Sequence, residues 1–233
     1  MGTAAIVVAG GSGSRLGAPG GKQLTRLLGI PVVSWSLRAL DAVKDVELII
    51  VVRPSERETE FEEEVGSLDL VTPVRFADSG ATRHHSVVSG MSQVPEELAL
   101  VAIHDGARPL LRPETVAGAI ALLEASPDAD GVVVGHPSID TVKFVNDGRI
   151  ASTPDRSTIW MAQTPQILRV PAFSRAISSA EESGFVGTDD ASVIEQCGGT
   201  VLMFEGPRDN LKITVAEDIA LAEAVLSQRA GGS

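Results

Sequence analysis

Apolar and polar positions along this chain are arranged in blocks that predict strands and helices in turn. Short runs of Val, Ile, Leu and Ala are typical of strands that are buried on both faces, as in a parallel sheet. Between them lie longer stretches with apolar residues at helical spacing, such as Val33, Leu37 and Leu40. The predicted strands are residues 4–9, 46–52, 73–77, 98–103, 131–134, 200–204 and 211–213. The predicted helices are residues 31–43, 54–65, 82–92, 113–124, 171–182, 189–196 and 215–229.

Residues 138–162 break this alternation. Two short β-prone runs flank Asp147-Gly148, and an Asp-Gly pair between such runs predicts a tight hairpin turn. A two-stranded hairpin is only marginally stable alone in water, and this one carries apolar side chains such as Phe144 and Ile150. We therefore expect an arm that protrudes from the sheet and packs against a second copy of the chain across a two-fold axis.

The pattern as a whole predicts an α/β fold, with a doubly wound, mostly parallel sheet and a protruding β-hairpin arm. Residues 1–233 are expected to form a single domain in which 138–162 is the arm and the dimerisation element. Hydrophobic residues make up 43% of the chain and aromatic residues only 3%, with no Tyr. The core is therefore expected to consist of Val, Ile, Leu and Ala.

Charge and composition narrow the classes of function. The formal net charge of −12 argues against a surface that binds nucleic acid or an anionic membrane, and no apolar run is long enough to span a bilayer. The single cysteine, Cys197, excludes an intrachain disulfide and a cysteine metal cluster. The first residues lack the basic region of a secretory signal, so we expect a cytoplasmic protein.

The first predicted strand leads into a loop that is rich in glycine and carries two basic residues. Glycines let the backbone turn tightly and bring its N–H groups close to an anion, while basic side chains add positive charge where phosphates lie. The residues concerned are Gly10, Gly11, Gly13, Arg15 and Lys22.

Two common phosphate-binding patterns do not match this loop. The dinucleotide fingerprint needs a third glycine where Leu16 stands, and the phosphate loop of nucleotide triphosphatases needs Ser or Thr where Gln23 stands. A strand-to-helix turn with a surface arginine is the structural alternative. The polar segments that follow other predicted strands favour a ligand site instead, because ligands of doubly wound sheets bind beyond the carboxyl ends of the strands. These segments are residues 78–86 and 104–108, with residues 210–212 nearby.

Nine segments, taken in order, resemble the cytidylyltransferase family that acts on 2-C-methyl-D-erythritol 4-phosphate, a precursor of isoprenoids. They are residues 9–17, 21–23, 79–86, 104–109, 140–143, 153–156, 162–166, 188–192 and 210–214. The resemblance spans nearly the whole chain and implies a Rossmann-like nucleotidyltransferase domain. Ala81 stands where the family often has an acidic residue that reads cytosine.

The resemblance implies a reaction in which the substrate phosphate attacks the α-phosphorus of CTP and pyrophosphate leaves. A phosphate monoester has a second pKa near ~6, so it is largely ionised at neutral pH and needs no general base. None of the four histidines is then assigned a catalytic role. Catalysis depends on positioning and on stabilisation of charge.

The resemblance also implies roles for particular residues. The catalytic residues would be Arg15, Lys22, Arg156 and Lys212. The substrate-binding residues would be Gly10, Gly11, Gly13, Gly80, Ser86, Asp105, Arg108, Thr141 and Thr164. Mg²⁺ would bridge the CTP phosphates, with no protein side chain assigned as a metal ligand. The implied assembly is a homodimer in which Thr141 and Arg156 enter the neighbour's active site.

Other interpretations remain open from the sequence. Arg108 could form only a salt bridge to Asp105, Arg83 could brace its own loop, and Asp189 and Asp190 could be charges favoured at a helix N-terminus. Ribitol-5-phosphate cytidylyltransferase is the alternative enzyme. A non-catalytic nucleotide-binding module is the alternative of another class, although it predicts the loss of basic site residues that this chain retains.

Overall fold

The computed structural model describes residues 2–11 and 23–231. Over these residues the strands are β1 (Thr3–Val8), β2 (Arg26–Leu27), β3 (Ile30–Pro31), β4 (Val46–Arg53), β5 (Val74–Asp78), β6 (Leu100–Asp105), β7 (Gly131–Pro137), β8 (Phe144–Asn146), β9 (Arg149–Ser152), β10 (Trp160–Arg169) and β11 (Val201–Glu205). The α-helices are α1 (Val32–Asp41), α2 (Glu58–Gly66), α3 (Arg83–Met91), α4 (Pro113–Glu124), α5 (Val170–Ser183), α6 (Asp190–Gln196) and α7 (Ala216–Gly231). Short 3₁₀ turns lie at Ser55–Arg57 and Arg156–Thr158.

The central sheet confirms the doubly wound, mostly parallel fold. Its strand order is β11-β7-β10-β6-β1-β4-β5, and β10 runs antiparallel to both of its neighbours while the other pairs are parallel. β1 lies in the middle, so its residues are buried on both faces of the sheet. This explains why its sequence is continuously apolar rather than alternating.

The two faces of the sheet carry separate apolar cores. Val7 packs on one face with α1, α2 and α4, which contribute buried side chains such as Leu37 and Phe61. Ile6 packs on the other face with α3, α5 and α6, where Phe173 is fully buried. A smaller cluster joins α7 to the β2–β3 ribbon. None of the helices in the described ranges is long and apolar enough to cross a membrane.

The strand register brings several loops to one edge of the sheet. Val8 at the end of β1 lies beside Val52 of β4 and beside Asp105 of β6. Arg53 at the end of β4 lies beside Asp78 of β5. The loops that follow β1, β5 and β6 therefore begin side by side, as expected for the carboxyl ends of parallel strands.

The predicted strand at residues 211–213 is wrong. Ile213 donates one backbone hydrogen bond to Ala107, at 2.8 Å, and within the described part of the chain this segment pairs with no strand. The side chain of Ile213 is fully buried in the small cluster beneath α7. Its apolar character thus reflects packing, which a short apolar run does not distinguish from membership of a sheet.

The sequence pattern also missed strand β10, which lies between β6 and β7. Its segment contains Pro165, and a proline within a run argues against a central strand because it lacks a backbone N–H. The register shifts between Ala162 and Gln166, so Pro165 lies where regular pairing is interrupted. A bulge of this kind accommodates the proline and lets the strand continue.

The hairpin of the arm is present but shorter than predicted. β8 and β9 pair across Asp147 and Gly148, which adopt φ angles of 48° and 75°. Positive φ at both central residues is the geometry that favours an Asp-Gly turn. Residues 141–143 lie outside the strand, and the apolar side chains of β8 and β9 are exposed.

Candidate active site

A cleft opens at the edge of the sheet where β1 and β6 end. Its walls come from the loop after β1, the loop that leads into α3, the end of β6 and the segment before α7. Six of the residues predicted for the site line it: Gly10, Gly11, Gly80, Ser86, Asp105 and Lys212. Residues as far apart in sequence as Gly10 and Lys212 therefore lie in one cleft.

Two glycines allow the loops of this cleft to lie against one another. A Cβ atom on Gly10 would lie 2.2 Å from the Cβ of Ser79, so the loop after β1 touches the loop after β5. A Cβ atom on Gly80 would lie 2.3 Å from the Cβ of His85. Both contacts are closer than real Cβ atoms allow. These positions therefore require glycine for close backbone approach.

Hydrogen bonds fix the loop that enters α3. The Ser86 hydroxyl accepts a bond from the Gly80 backbone N–H at 3.1 Å and donates to the Thr82 carbonyl at 3.0 Å. Thr82 is the N-cap of α3, and its side-chain oxygen accepts from the His85 N–H. The backbone of this loop is thus held in one conformation at the cleft wall.

Asp105 is the centre of the charged cluster at the base of the cleft. Its carboxylate accepts bonds from Lys212 Nζ at 2.7 Å and from Arg83 Nε at 3.0 Å. Arg108 Nε lies 3.8 Å from the same carboxylate. Burial alone would raise the pKa of Asp105, but Arg83 and Lys212 hold that pKa well below its usual range. Asp105 therefore remains an anion that orients several cations.

Arg83 links this cluster to the start of α6. Its two Nη atoms donate to the Asp190 carboxylate at 2.9 and 2.8 Å, a bidentate pair. Asp190 is only 2% exposed. These bonds support the hypothesis that Arg83 braces its loop. Asp190 is not only a charge favoured at a helix N-terminus, because its carboxylate pairs with Arg83. Asp189 is the N-cap of α6, in a capping box with Ser192.

Arg108 and Thr164 adjoin the same cluster through Asn210. The side-chain amide of Asn210 donates to the Thr164 carbonyl at 2.8 Å, and the backbone carbonyl of Asn210 accepts from Arg108 Nη1 at 2.7 Å. The Thr164 hydroxyl accepts from the Asp105 backbone N–H at 3.1 Å. Asn210 is fully buried and was not among the predicted site residues. The sequence signal that could have identified Asn210 was its position two residues before Lys212, a predicted site residue.

The remaining predicted residues lie elsewhere. Thr141 and Arg156 are on the arm, both are exposed, and neither lines the cleft of its own chain. Arg156 Nη1 donates to the Ile139 carbonyl at 2.8 Å. Arg15, Lys22 and Gly13 fall outside the described residues.

The side chains that line the cleft determine whether the protein itself could coordinate Mg²⁺ there. Asp105 is the one carboxylate among its described lining residues, and both of its oxygens are engaged by Lys212 and Arg83. Over residues 2–11 and 23–231 there is no group of three or more His, Cys, Asp or Glu side chains placed to hold a metal. The described residues therefore do not fit a metal centre that is built from protein ligands.

Comparisons with known proteins agree with this arrangement. The family model described as 2-C-methyl-D-erythritol 4-phosphate cytidylyltransferase matches residues 3–228. Proteins of that name from Synechococcus elongatus and Bacillus licheniformis are 41% and 36% identical, over 96% and 95% of this chain and 96% and 94% of their own. The crystal structure of 4-diphosphocytidyl-2C-methyl-D-erythritol synthase from Anaerococcus prevotii superimposes with a TM-score of 0.85 at 28% identity, covering 97% of this chain and 98% of its own. The chain therefore belongs to the 2-C-methyl-D-erythritol 4-phosphate cytidylyltransferase family.

Proposed function

We propose that this chain transfers a cytidylyl group from CTP to 2-C-methyl-D-erythritol 4-phosphate, giving 4-diphosphocytidyl-2-C-methyl-D-erythritol and pyrophosphate, as a step of the non-mevalonate isoprenoid pathway. The observation that carries the proposal is the charged cluster at the cleft. In a chain with a net charge of −12, Arg83, Arg108 and Lys212 converge on Asp105 beside two glycine-containing loops. A local excess of cations against an acidic background suits polyanionic substrates.

The reaction needs no proton acceptor from the protein. An ionised phosphate oxygen of the sugar-alcohol phosphate forms a new bond to the α-phosphorus of CTP. The bond from that phosphorus to the oxygen that bridges it to the β-phosphorus breaks, and pyrophosphate leaves with the electron pair. The protein contributes alignment of the two substrates and cations that stabilise the charge of the transition state.

The nucleotide is assigned to the loops at the ends of β1 and β5. Backbone groups of Gly10, Gly11 and Gly80 would hold the cytosine, and Ser86 keeps the Gly80 loop in place. A rigid set of backbone donors and acceptors discriminates bases by their hydrogen-bond pattern. By family resemblance, Gly13, Arg15 and Lys22 would contact the triphosphate.

The second substrate is assigned to the side of the cleft at Asp105, whose cluster includes Arg108 and Thr164. Lys212 lies between the two substrates and would stabilise the reacting phosphates. Arg108 lies beside Asp105, with its Nε 3.8 Å from the carboxylate, and adds positive charge to this side of the cleft.

The arm is proposed to complete the site of a second copy in a homodimer. Thr141 and Arg156 would bind the sugar-alcohol phosphate there, and the planar guanidinium of Arg156 suits bidentate contact with a phosphate. The exposed apolar side chains of the arm support this assignment. Phe144 is 56% exposed and Ile150 is 64% exposed.

Mg²⁺ is proposed to arrive with the triphosphate, because the described cleft residues offer no free carboxylate. When bound there, it would neutralise phosphate charge. We also place the reaction in the cytoplasm, which agrees with a chain that has a single cysteine.

The test is pyrophosphate release with each of the four nucleoside triphosphates against methylerythritol phosphate and ribitol 5-phosphate. We expect CTP with methylerythritol phosphate to give the highest kcat/KM, and EDTA to abolish turnover. Faster turnover with ribitol 5-phosphate would favour the alternative enzyme. Nucleotide binding without pyrophosphate release from any pair would favour a non-catalytic module.

A further inference from the structure

His104 is the penultimate residue of β6 and is fully buried behind the cleft. Its Nδ1 lies 3.1 Å from the Thr164 hydroxyl and its Nε2 lies 3.2 Å from the Arg108 carbonyl. Both residues are assigned above to the second substrate. A single imidazole ring therefore touches two separate segments of that subsite.

The direction of each hydrogen bond follows from the chemistry of the partners. A carbonyl only accepts, so Nε2 must carry the hydrogen that is donated to Arg108. The Asp105 backbone N–H donates to the Thr164 oxygen, and the Thr164 hydroxyl hydrogen is then free to be donated to Nδ1. The result is a continuous chain from Asp105 through Thr164 and His104 to Arg108.

We propose that His104 is a positioning residue for the sugar-alcohol phosphate subsite. Its ring holds the Thr164 hydroxyl and the Arg108 backbone in fixed positions relative to Asp105. The proposal rests on the proposed function and concerns the binding of one of its two substrates. It does not make His104 a catalytic residue, because the ring is fully buried and does not line the cleft.

The surroundings of the ring agree with a fixed, neutral imidazole. Burial lowers the pKa of His104 to about 4, with Asp105 opposing the shift and Arg108 adding to it. The neutral ring has one donor and one acceptor, and both are used. The Arg108 carbonyl accepts a second bond from Ser36 of α1 at 3.1 Å. The Thr164 hydroxyl depends on His104 for its only acceptor among the described residues.

The experiment compares His104→Leu, His104→Asn and His104→Gln with the wild-type chain, by steady-state kinetics with CTP and methylerythritol phosphate each varied in turn. His104→Leu removes both hydrogen bonds. His104→Asn places an oxygen near the original Nδ1 and can still accept from Thr164, whereas His104→Gln places an amide near Nε2 and can still donate to Arg108. Val101→Ala is the control, since it creates a cavity in the same strand without contact with the cleft.

For His104→Leu we expect the KM for methylerythritol phosphate to rise about tenfold, as for a buried polar group left without its partner, while the KM for CTP stays within about twofold. Asn and Gln should each recover part of the loss. Val101→Ala should change stability but neither KM. If the His104→Leu variant does not fold, His104→Asn and His104→Gln still test whether the KM for methylerythritol phosphate rises more than the KM for CTP.

Three results would overturn the proposal: unchanged KM values in every folded His104 variant, equal increases for both substrates, or Asn and Gln variants no better than Leu. A wild-type chain that does not turn over this substrate pair would instead remove the proposed function, and this inference with it. The two failures are thus distinguished by the wild-type measurement alone.

Discussion

The cleft and the arm of this chain are built in opposite ways. In the cleft, Asp105 is bonded to Arg83 and Lys212, and Asp190 is 2% exposed beneath Arg83. On the arm, the side-chain hydrogen bonds join residues of the arm itself, as between Lys143 and Thr153. The chain therefore organises the cleft by itself, whereas its arm leaves apolar side chains such as Phe144 and Ile150 exposed.

This difference has energetic consequences. A buried charged group that loses its partner costs roughly 3–5 kcal/mol, because the remaining charge is left desolvated. An exposed pair contributes roughly 0–1 kcal/mol. Substitutions in the cleft should thus disturb both activity and stability, while substitutions on the arm should disturb assembly and activity without unfolding the chain.

The largest expected effect is on catalysis by the cleft. Lys212→Ala removes the cation that lies 2.7 Å from Asp105 and that we propose stabilises the reacting phosphates. By analogy with donors that stabilise an oxyanion, kcat should fall about 100-fold. The matched control is Lys143→Ala on the arm, which should stay within about threefold of wild type. Equal kcat values for the two variants would contradict the assigned role of Lys212.

A second prediction concerns the stability of the cleft as the pH falls. The pKa of His104 is about 4 in the folded chain, against roughly 6.5 when unfolded. Between these values the unfolded chain binds more protons, so stability is lost as pH falls through this window. From pH 7 to pH 5 the contribution of His104 should decrease by roughly 2 kcal/mol.

Urea unfolding of wild type and His104→Gln at both pH values measures this contribution. Other groups titrate in both proteins, including Asp190, whose pKa is raised by burial. The difference between the two proteins therefore isolates His104. We expect the variant to lose less stability than wild type on acidification, and parallel losses would show that the ring titrates normally.

The same contrast between local and distant contacts explains what the sequence predicts. α4 matches its predicted bounds because Pro113 suits a first turn and the apolar spacing is regular. Gly80 and Asp105 lie in segments that follow predicted parallel strands, which meet at one edge of the sheet, while their individual roles and that of Lys212 came from the family resemblance. Such signals are local, or follow from the general topology of the fold.

The features that were missed depend on contacts between distant segments. Arg83 and Asp190 are 107 positions apart, and the residues around each of them in sequence do not indicate that the two side chains pair. β10 carries Pro165 and is a central strand only because its register shifts there. His104 looked dispensable because the chemistry needs no base, yet its partners, Thr164 and Arg108, can be identified only in the folded chain.

A third prediction tests whether the two regions act in different chains of a dimer. Arg156→Ala disables the arm and Lys212→Ala disables the cleft, so each homodimer should be nearly inactive. After subunit exchange at equal concentration, half of the dimers are mixed and each contains one intact site. Activity should therefore return to about one quarter of the wild-type value. No recovery despite proven exchange would place both residues in one chain's own site.

The smallest expected effect is on the apolar surface of the arm. Ile150→Ser removes apolar area that is 64% exposed in the single chain and that we expect the dimer to bury. A loss of about 0.7 kcal/mol per copy, counted twice in a symmetric dimer, should raise the dimer Kd about tenfold. The free energy of unfolding should change by no more than about 0.5 kcal/mol, as for other surface positions. Val71→Ser is the matched control, because Val71 is 91% exposed and lies off the arm. Sedimentation velocity over a dilution series measures the dimer Kd of both variants, and urea unfolding measures their stability. Equal Kd values for the two variants would mean that the arm surface is not the interface.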